Sequence, residues 1–489
     1  MTFQFSIDAL STGEILSRYY ATNEPSKPTV TEIPKPRLDY RSLAENVIFK
    51  SHNAFNRKAS LPPGTIQIIA KLYEERKATS GDLDYKRHMR SVASDKVKSS
   101  GKDLEARKTA IEEAKLLKET IVALEVKLAE LDDQLHSLAL AVPNDTHPDT
   151  PIGPEAAAKI LSEHGPPPRA ALPILDHVAI GRELKLLDLE AGSSTTGSSW
   201  YYLMNEGALL EMALVNYAMS IAIKHGFTPV TTPDVVRADI AYRCGFQPRD
   251  RETIAQMYHV TNSMTPDDGS SPPLVLAGTA EIPLAGMFVN KIHEKSELPV
   301  KLVGLGKAFR AEAGARGTDT RGLYRVHQFT KLELFVVCEG EQSEAIMEDV
   351  KRLQIEIFEG LGLTFRVLDM PTEELGASAY RKYDIEAWMP GRDGWGEISS
   401  TSNCTDYQAR RLHIRYRHEP AGVQKDTPSG PLPFAHTLNG TAAAVPRLIV
   451  ALIENGARFD EKGKAVGLNL PKALKPFWVD SGRDIVRWV

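Results

Sequence analysis

The chain of 489 residues has few cysteines, no long apolar run and none of the glycine-rich loops that bind phosphate in Rossmann or P-loop proteins. Its cysteines, Cys244, Cys338 and Cys404, are too far apart for a disulfide framework or a CxxC-type zinc site. No stretch of about 18 apolar residues could form a membrane-spanning helix. We therefore expect reduced thiols, no zinc and no membrane.

The chain also has little excess of either charge. It contains 59 Lys and Arg against 64 Asp and Glu, which gives a formal net charge of -5. Contact with nucleic acid would therefore need a local basic patch. Hydrophobic residues make up 42% and charged residues 25%, as in globular proteins, and the length allows two or three domains.

The N-terminal segment is polar and contains several prolines, which predicts a flexible extension over residues 1–36. It mixes basic residues with acids, whereas a mitochondrial presequence is rich in Arg and poor in acids. Taken alone, this segment is a poor match to a presequence.

A helical arm is predicted over residues 37–150, with a short first helix near residues 40–50. A helix-compatible stretch from about residue 65 is followed by a break near residues 99–101, and then by a heptad seam over four repeats. The simplest structure is an antiparallel hairpin roughly 50 Å long, because each helix has about 35 residues. The seam consists of Ala110, Ala114, Leu117, Ile121, Leu124, Leu128, Leu131, Leu135 and Leu138.

The tip of this arm is basic. From Lys86 to Lys108 there are eight basic residues and three acids, hence a local charge of +5. Such a tip fits a phosphate backbone, although an oligomerisation coiled coil with a solvated charged face would have a similar composition. The candidate residues for contact with a nucleic-acid backbone are Lys86, Arg87, Arg90, Lys96, Lys98, Lys102, Arg107 and Lys108.

Residues 151–489 have a mixed globular composition after a proline-rich linker at 142–153. Helical stretches alternate unevenly with β-rich runs, which predicts an α+β domain built on an antiparallel sheet. The predicted helices lie near 208–225, 341–361 and 446–454. The predicted strands lie near 229–232, 274–276, 300–303, 329–337 and 364–368.

The densest group of polar residues lies in GKAFRAEAGARGTDTRGLYRVHQFTKLELFVV, which predicts two strands joined by a long loop. Because side chains alternate along a strand, Arg310 and Glu312 share one face, as do Phe329, Lys331 and Glu333. Such a face offers an arginine to phosphate, an aromatic ring to a base and a carboxylate to an ammonium group. A surface strand with ion pairs has the same composition, so both interpretations stay open at this point.

This hairpin resembles motif 2 of the class II aminoacyl-tRNA synthetases, and its loop is similar to that of the seryl branch. LAGTAEIPLA resembles the serine-binding loop, GEISSTSNCTD the Glu-Ile-Ser-Ser element, and FAHTLNGTAAAVPRLIVALIEN motif 3 of that family. GFTPVTTPDVVR resembles motif 1, with Pro233 at a dimer interface. The resemblance implies an active site on an antiparallel sheet, ATP and Mg²⁺, a helical arm that binds tRNA(Ser), and a homodimer.

The resemblance also implies roles for individual residues. The residues expected to act in catalysis are Arg310, Glu312 and Arg447. The residues expected to bind serine are Thr279, Ala280, Glu281, Arg310, Glu333, Asn439 and Thr441. The residues expected to bind ATP are Arg310, Ala311, Glu312, Val326, Phe329, Glu397, Ile398, Ser399, Ser400 and Arg447. A carboxylate and a hydroxyl, Glu397 and Ser400, are expected to hold Mg²⁺, which prefers oxygen ligands.

Motif 3 departs from the family pattern, since Ala442 and Pro446 replace two glycines. Proline is tolerated in the first turn of a helix, where its missing N–H has no partner to lose. The Thr-Ala-Glu loop resembles bacterial and mitochondrial members. Together with the N-terminal extension and motif 3, it points to the mitochondrial matrix, with the cytoplasm as the alternative.

Three functions fit these observations. The first is a ligase that activates serine with ATP and transfers it to tRNA(Ser). The second is a related ligase that passes serine to a carrier protein or a small molecule, against which the basic arm argues. The third is a tRNA-binding protein without catalysis, against which the retained polar residues of motifs 2 and 3 argue.

Overall fold

The computed structural model describes residues 33–100, 103–246, 257–261, 272–311, 321–417 and 431–489. The helices are α1 Tyr40–Glu45, α2 Val47–Asn56, α3 Thr65–Ser99, α4 Leu104–Leu140, α5 His177–Glu183, α6 Leu189–Thr195, α7 Glu206–Lys224, α8 Ala238–Arg243, α9 Glu281–Gly286, α10 Ser343–Gly360, α11 Tyr407–Leu412 and α12 Val445–Gly456. Short 3₁₀ helices are Glu155–Ala157, Pro173–Leu175, Lys295–Glu297, Gly340–Gln342, Thr372–Glu374 and Lys472–Phe477.

The strands are mostly short, with five long ones at the centre of the main sheet. They are β1 Lys159–His164, β2 Leu187–Asp188, β3 Tyr202–Leu203, β4 Thr228–Thr231, β5 Val235–Arg237, β6 His259–Val260, β7 Leu274–Leu276, β8 Ile292–His293, β9 Val300–Phe309, β10 Gln328–Cys338, β11 Phe365–Asp369, β12 Arg381–Met389, β13 Gly394–Asn403, β14 Arg415–Tyr416, β15 His436–Ala444, β16 Ala457–Phe459, β17 Ala465–Leu470 and β18 Val486–Trp488.

Helices α3 and α4 pack side by side in opposite directions and form the arm. Every residue of the predicted heptad seam is buried or partly buried, so the seam is confirmed. Ion pairs link the helices along their length, including Arg87 Nη2 with Glu125 Oε1 at 2.8 Å and Lys127 Nζ with Glu75 Oε1 at 2.9 Å. The side chain of Asp103 accepts a hydrogen bond from the backbone of the first turn of α4 and caps it.

The root of the arm is fixed to the second domain by buried hydrogen bonds. Arg57 Nη1 donates to the carbonyl oxygens of Asn144 and Ala379, both at 2.9 Å. Asn144 Nδ2 donates in turn to the carbonyl oxygens of Ser378 and Cys404, both at 2.9 Å. Because these donors and acceptors are withdrawn from water, the segment that follows α4 holds the arm against the second domain.

An eight-stranded sheet, in the order β1-β11-β12-β13-β15-β10-β9-β4, forms the centre of the second domain. All neighbouring strands are antiparallel except β4, which runs parallel to β9 at the edge. The α+β prediction is therefore confirmed. Strands β12 and β13 are missing from the predicted strands, because charged and hydroxyl side chains interrupt their apolar alternation.

Helices α7, α10 and α12 cover one face of this sheet and bury its largest hydrophobic cluster. The alternation along β10 separates two environments. Residues that face the helices are Leu332, Leu334, Val336 and Cys338. Residues on the other face are Phe329, Lys331 and Glu333, followed by Phe335 and Val337 in a second cluster. The predicted sharing of one face by Phe329, Lys331 and Glu333 is consistent with this arrangement.

Helix α7 is long and apolar enough to cross a membrane by length and composition, but more than half of it is buried in the protein. Its apolar side chains pack in the main cluster with those of α10 and α12. Pro446 lies in the first turn of α12, as predicted, and Ala442 is fully buried in β15. The two departures from the motif 3 pattern are thus accommodated by the fold.

Replacement of Leu135 by alanine is expected to destabilise the arm. Leu135 is fully buried, where it packs with Ile66 and Ile69 at the arm root. The loss of its side chain should lower the free energy of unfolding by about 2–5 kcal/mol. The matched control is Leu116→Ala on the same helix, since Leu116 is 66% exposed and should change stability by less than about 0.5 kcal/mol. Urea denaturation followed by circular dichroism measures both, and equal effects would contradict the packing of the arm root.

Candidate active site

A cleft of about 550 Å³ opens on the sheet face that the helices leave uncovered. It is bounded by the end of β9, by β10, β13 and β15, and by the first turn of α12. Its walls combine basic, acidic, hydroxyl and aromatic side chains. The lining residues are Arg310, Leu323, Tyr324, Arg325, Val326, Phe329, Lys331, Glu397, Ser399, Ser400, Thr441, Ala444, Pro446 and Arg447.

Arg447 lies at one end of the cleft, where the first turn of α12 holds it. Its Nη1 donates to the side chain of Glu397, Oε2, at 3.1 Å and to the carbonyl oxygen of the same residue at 3.0 Å. Its Nε donates to the carbonyl oxygen of Tyr324 at 3.2 Å, and the guanidinium stacks 4.7 Å from the Tyr324 ring. The arginine is thus held flat between β13 and the segment that leads into β10.

Glu397 remains ionised in this cation-rich part of the cleft. Burial by itself raises the pKa of Glu397, but Arg447, Lys382 and Arg310 outweigh burial and hold that pKa well below its usual range. An ionised carboxylate is therefore available beside Ser400. Arg310 stacks on Phe329 at 5.4 Å from the ring, so a guanidinium and an aromatic face lie together.

Lys331 lines another end of the cleft, behind which lie two carboxyls that do not themselves line it, Glu333 and Glu281. Its Nζ lies 2.6 Å from Glu333 Oε2 and donates to Thr279 Oγ1 at 3.1 Å. Burial raises the pKa of Glu333 to about 7, with Lys331 opposing the rise and Glu281 adding to it. Burial also raises the pKa of Glu281. Two nearby carboxyls with raised pKa values can receive an ammonium group once they are ionised.

Most residues predicted to bind ATP lie in the cleft. These are Arg310, Val326, Phe329, Glu397, Ser399, Ser400 and Arg447. The side chain of Ile398 lies in the helix-covered cluster, so only its backbone could face the cleft. Ala311 is the last described residue before the loop and is partly buried. Glu312, predicted for catalysis and for ATP, lies outside the described residues.

The residues predicted to bind serine lie around Lys331 or behind it. Arg310 and Thr441 line the cleft, and Thr441 is the cross-strand neighbour of Glu333. Thr279 contacts Lys331, and Asn439 contacts Cys404 Sγ at 3.8 Å. Ala280 is buried in the second hydrophobic cluster, and Glu281 begins α9.

The predicted tRNA contacts lie on the outer surface of the arm. Lys86 is partly buried, and the other described residues of this set are exposed: Arg87, Arg90, Lys96, Lys98, Arg107 and Lys108. Arg87 pairs with Glu125, and Lys98 lies 3.2 Å from Asp95, so these two are partly neutralised. Lys102 lies outside the described residues.

Three residues of the site received no role from the sequence. Lys331 was placed on the correct strand face by alternation, but its position between Thr279 and Glu333 depends on the fold. Tyr324 supports Arg447, and no sequence pattern indicates that contact. Gln408 contacts Glu281, a residue 127 positions away, so local sequence holds no signal for it.

Two family models match the chain. Residues 263–456 match the tRNA synthetase class II core domain (G, H, P, S and T), and residues 38–146 match the seryl-tRNA synthetase N-terminal domain. The serine–tRNA ligase of Treponema denticola is 41% identical over 90% of this chain and 98% of its own length. The mitochondrial serine–tRNA ligase of Schizosaccharomyces pombe is 40% identical over 90% of this chain and 88% of its own length.

A solved structure shares the fold as well. The seryl-tRNA synthetase of Pyrococcus horikoshii, crystallised with ATP, superposes with a TM-score of 0.80 and 31% identity over 91% of this chain and 98% of that chain. The sequence identity, the two matched domains and the common fold lead to one conclusion. The chain belongs to the seryl-tRNA synthetase family.

Proposed function

We propose that the chain activates L-serine with ATP to seryl-adenylate and transfers the seryl group to the 3′ end of tRNA(Ser). The observation that carries this proposal is one cleft with two chemically different ends. Arg310, Arg447 and Phe329 suit a nucleotide, and Glu333 with Lys331 and Thr279 suits a small polar amino acid. The family members named above support the same reaction.

In the first step the serine carboxylate attacks the α-phosphorus of ATP and pyrophosphate leaves. Arg310 and Arg447 would stabilise the charge that develops on the phosphate oxygens, since a guanidinium donates paired hydrogen bonds to such oxygens. Phe329 would stack on the adenine ring. The serine carboxylate is itself the nucleophile in this step, so the step needs no protein nucleophile, and positioning and electrostatic stabilisation account for the rate.

Glu397 and Ser400 are suited to hold Mg²⁺. Glu397 stays ionised, Ser400 offers a hydroxyl, and Oδ1 of the buried Asp384 across the sheet from Ser400 has no hydrogen-bond partner. Within the described residues, no three His, Cys, Asp or Glu side chains lie together as a metal site. The ion would therefore share its oxygen ligands between these residues and ATP, and would neutralise phosphate charge.

The arm would bind tRNA(Ser), with residues 37–150 as the tRNA-binding domain and 151–489 as the catalytic domain. Its exposed basic residues near the tip lie far along two helices from the cleft. In the second step the terminal ribose hydroxyl of the tRNA attacks the seryl carbonyl. We place residues 1–36 outside both domains, as an extension.

A homodimer is consistent with the edge of the sheet. Strand β4 ends the sheet, Pro233 is exposed just after it, and Met212 of the neighbouring helix α7 is 56% exposed. Sedimentation velocity tests this proposal, since a dimer has twice the mass of the chain.

The mitochondrial matrix is the proposed location. Relatives named as mitochondrial serine–tRNA ligases, from two yeasts, support it. Bacterial relatives are equally similar, so parallel charging of a mitochondrial and a cytosolic serine tRNA is the deciding assay. Preference for the cytosolic tRNA would favour the cytoplasm.

The reaction predicts serine-dependent exchange between ATP and pyrophosphate, and Arg447→Ala should lower its kcat by about 10²–10³-fold, because a preorganised charge is lost. The control Arg352→Ala removes an exposed arginine on α10 that pairs with the local Asp349, and should leave exchange unchanged. Absence of exchange in the unmodified chain would contradict the proposed function. Equal rates for Arg447→Ala and Arg352→Ala would contradict the role of Arg447.

Serine affinity should depend on pH through Glu333. Because its pKa is raised to about 7, this carboxyl is mostly neutral in mildly acidic solution and gains its charge as the pH rises through 7. The dissociation constant for serine should therefore fall by about tenfold between about pH 5.5 and about pH 7.5. Calorimetric titration of the chain with serine measures it. The variant Glu333→Gln should bind serine weakly and without this pH dependence; an unchanged profile would exclude Glu333 as the titrating group.

Reversal of charge at the arm tip should impair charging without affecting activation. In the double variant Arg90→Glu with Lys96→Glu, the KM for tRNA should rise, and the slope of log affinity against log salt should fall by about one for each lost phosphate contact. ATP–pyrophosphate exchange should remain unchanged. The control, Lys462→Glu with Lys464→Glu, changes two exposed lysines of the catalytic domain. If both double variants charge tRNA alike, the arm does not bind it.

A further inference from the structure

Gln408 is a fully buried polar residue behind the end of the cleft that Lys331 lines. It lies in α11, and its amide contacts three separate segments of the catalytic domain. Its Nε2 donates to Glu281 Oε1 at 2.6 Å and to the carbonyl oxygen of Cys244 at 3.1 Å. Its Oε1 accepts from Thr437 Oγ1 at 2.7 Å. Both amide hydrogens and the amide oxygen are therefore engaged.

The orientation of this amide is fixed by its partners. If the amide were reversed, its oxygen would face the carbonyl oxygen of Cys244 and the carboxyl of Glu281, which are acceptors. Thr437 is itself fully buried in β15, so it cannot exchange the contact for water. Glu281 Oε1 is thus held as a hydrogen-bond acceptor, and any proton on this carboxyl lies on Oε2.

One oxygen of Glu281 is therefore occupied by Gln408, and the carboxyl also takes a hydrogen bond from the side chain of Asn439. Burial raises the pKa of Glu281, while Gln408, Lys331 and Asn439 act against that rise and favour the ionised form. Lys331 belongs to the cleft and contacts Thr279 of the same loop as Glu281. Gln408 consequently fixes the orientation of a carboxyl that lies close enough to Lys331 and Arg310, two residues of the cleft wall, to feel their charges.

We propose that Gln408 is a positioning residue for amino-acid selection. It holds the Glu281 carboxylate so that the second oxygen of Glu281 accepts a hydrogen bond from the hydroxyl group of serine. This inference rests on the proposed function and names how the same site recognises its substrate. Alanine has no hydroxyl and would not form this hydrogen bond to the buried carboxylate, which disfavours alanine. A Glu281 that is free to turn could find another donor, and alanine would then be rejected less well.

The first test is Gln408→Met, which keeps the length of the side chain and removes its hydrogen bonds. ATP–pyrophosphate exchange is measured with serine, with alanine and over a range of ATP concentrations. The KM for serine should rise about 10- to 100-fold, as expected for a lost hydrogen bond to a charged group. The preference for serine over alanine in kcat/KM should fall, while the KM for ATP stays within about twofold of its original value.

Two further variants separate selection from stability. Thr437→Val keeps the shape of Thr437 and frees the amide oxygen of Gln408, and should change the serine preference in the same direction by a smaller factor. The control is Tyr217→Phe, which also removes a buried hydrogen bond, because the hydroxyl of Tyr217 donates to the carbonyl oxygen of Ile357 at 3.0 Å within the helix-covered cluster. It should lower the melting temperature without changing the preference for serine over alanine.

The outcomes are distinguishable. A reduced preference for serine in Gln408→Met or Thr437→Val, with an unchanged preference in Tyr217→Phe, supports the inference. If Gln408→Met does not fold, Thr437→Val decides. An unchanged preference in the folded variants overturns the role of Gln408 and leaves the proposed function intact, whereas an unmodified chain without serine-dependent exchange overturns the proposed function itself.

Discussion

The antiparallel pairing of β10 with β9 on one side and β15 on the other is the interaction on which the rest of the structure depends. Both ladders use the backbone of β10, so its position is fixed along nearly its whole length. Strict alternation then sends the apolar residues under the helices and the polar ones into the cleft. A slip of one residue in either ladder would bury Lys331 and Glu333 under α12 and expose a row of leucines and valines.

Charge balance is the second constraint on the cleft. Several ionisable groups are buried in or behind it, and a buried charge without a partner would destabilise the fold. Each carboxyl has a cation or an amide donor close to it. Glu397 has Arg447, Glu333 has Lys331 and Glu281 has Gln408. These partners differ in how strongly they favour the ionised carboxylate, and the pKa values of the three carboxyls differ accordingly. A guanidinium keeps its carboxylate ionised, while a carboxyl next to one lysine and a second acid retains a raised pKa.

The sequence predicted those parts of the fold in which the burial of apolar residues alone sets the spacing. The heptad seam and the alternation along β10 were predicted because the spacing of apolar residues follows directly from burial. Strand β9 was predicted in two pieces, one at 300–303 and one that ends near 309–312, whereas it is one strand from Val300 to Phe309; Gly304, Gly306 and Lys307 hid its continuity. A side chain at Gly306 would place its Cβ 2.6 Å from Thr232 Oγ1, which accounts for a glycine in a central strand.

The first helix was predicted as one element and is two, α1 and α2. Contacts such as Tyr324 with Arg447 join distant segments, so only the folded chain reveals them.

Helix α11 is only six residues long, and it serves two parts of the protein at once. On one side the backbone of Arg410 accepts from Arg37 at 2.9 Å, and Arg411 reaches the carbonyl oxygen of Leu140 at the end of the arm. On the other side Gln408 contacts Glu281. Insertion or deletion of one residue in such a helix rotates the following side chains by about 100°, which would displace both sets of contacts together. The length of this short helix is therefore more constrained than its sequence. A change in its length would alter the arm root and the surroundings of Glu281 at the same time.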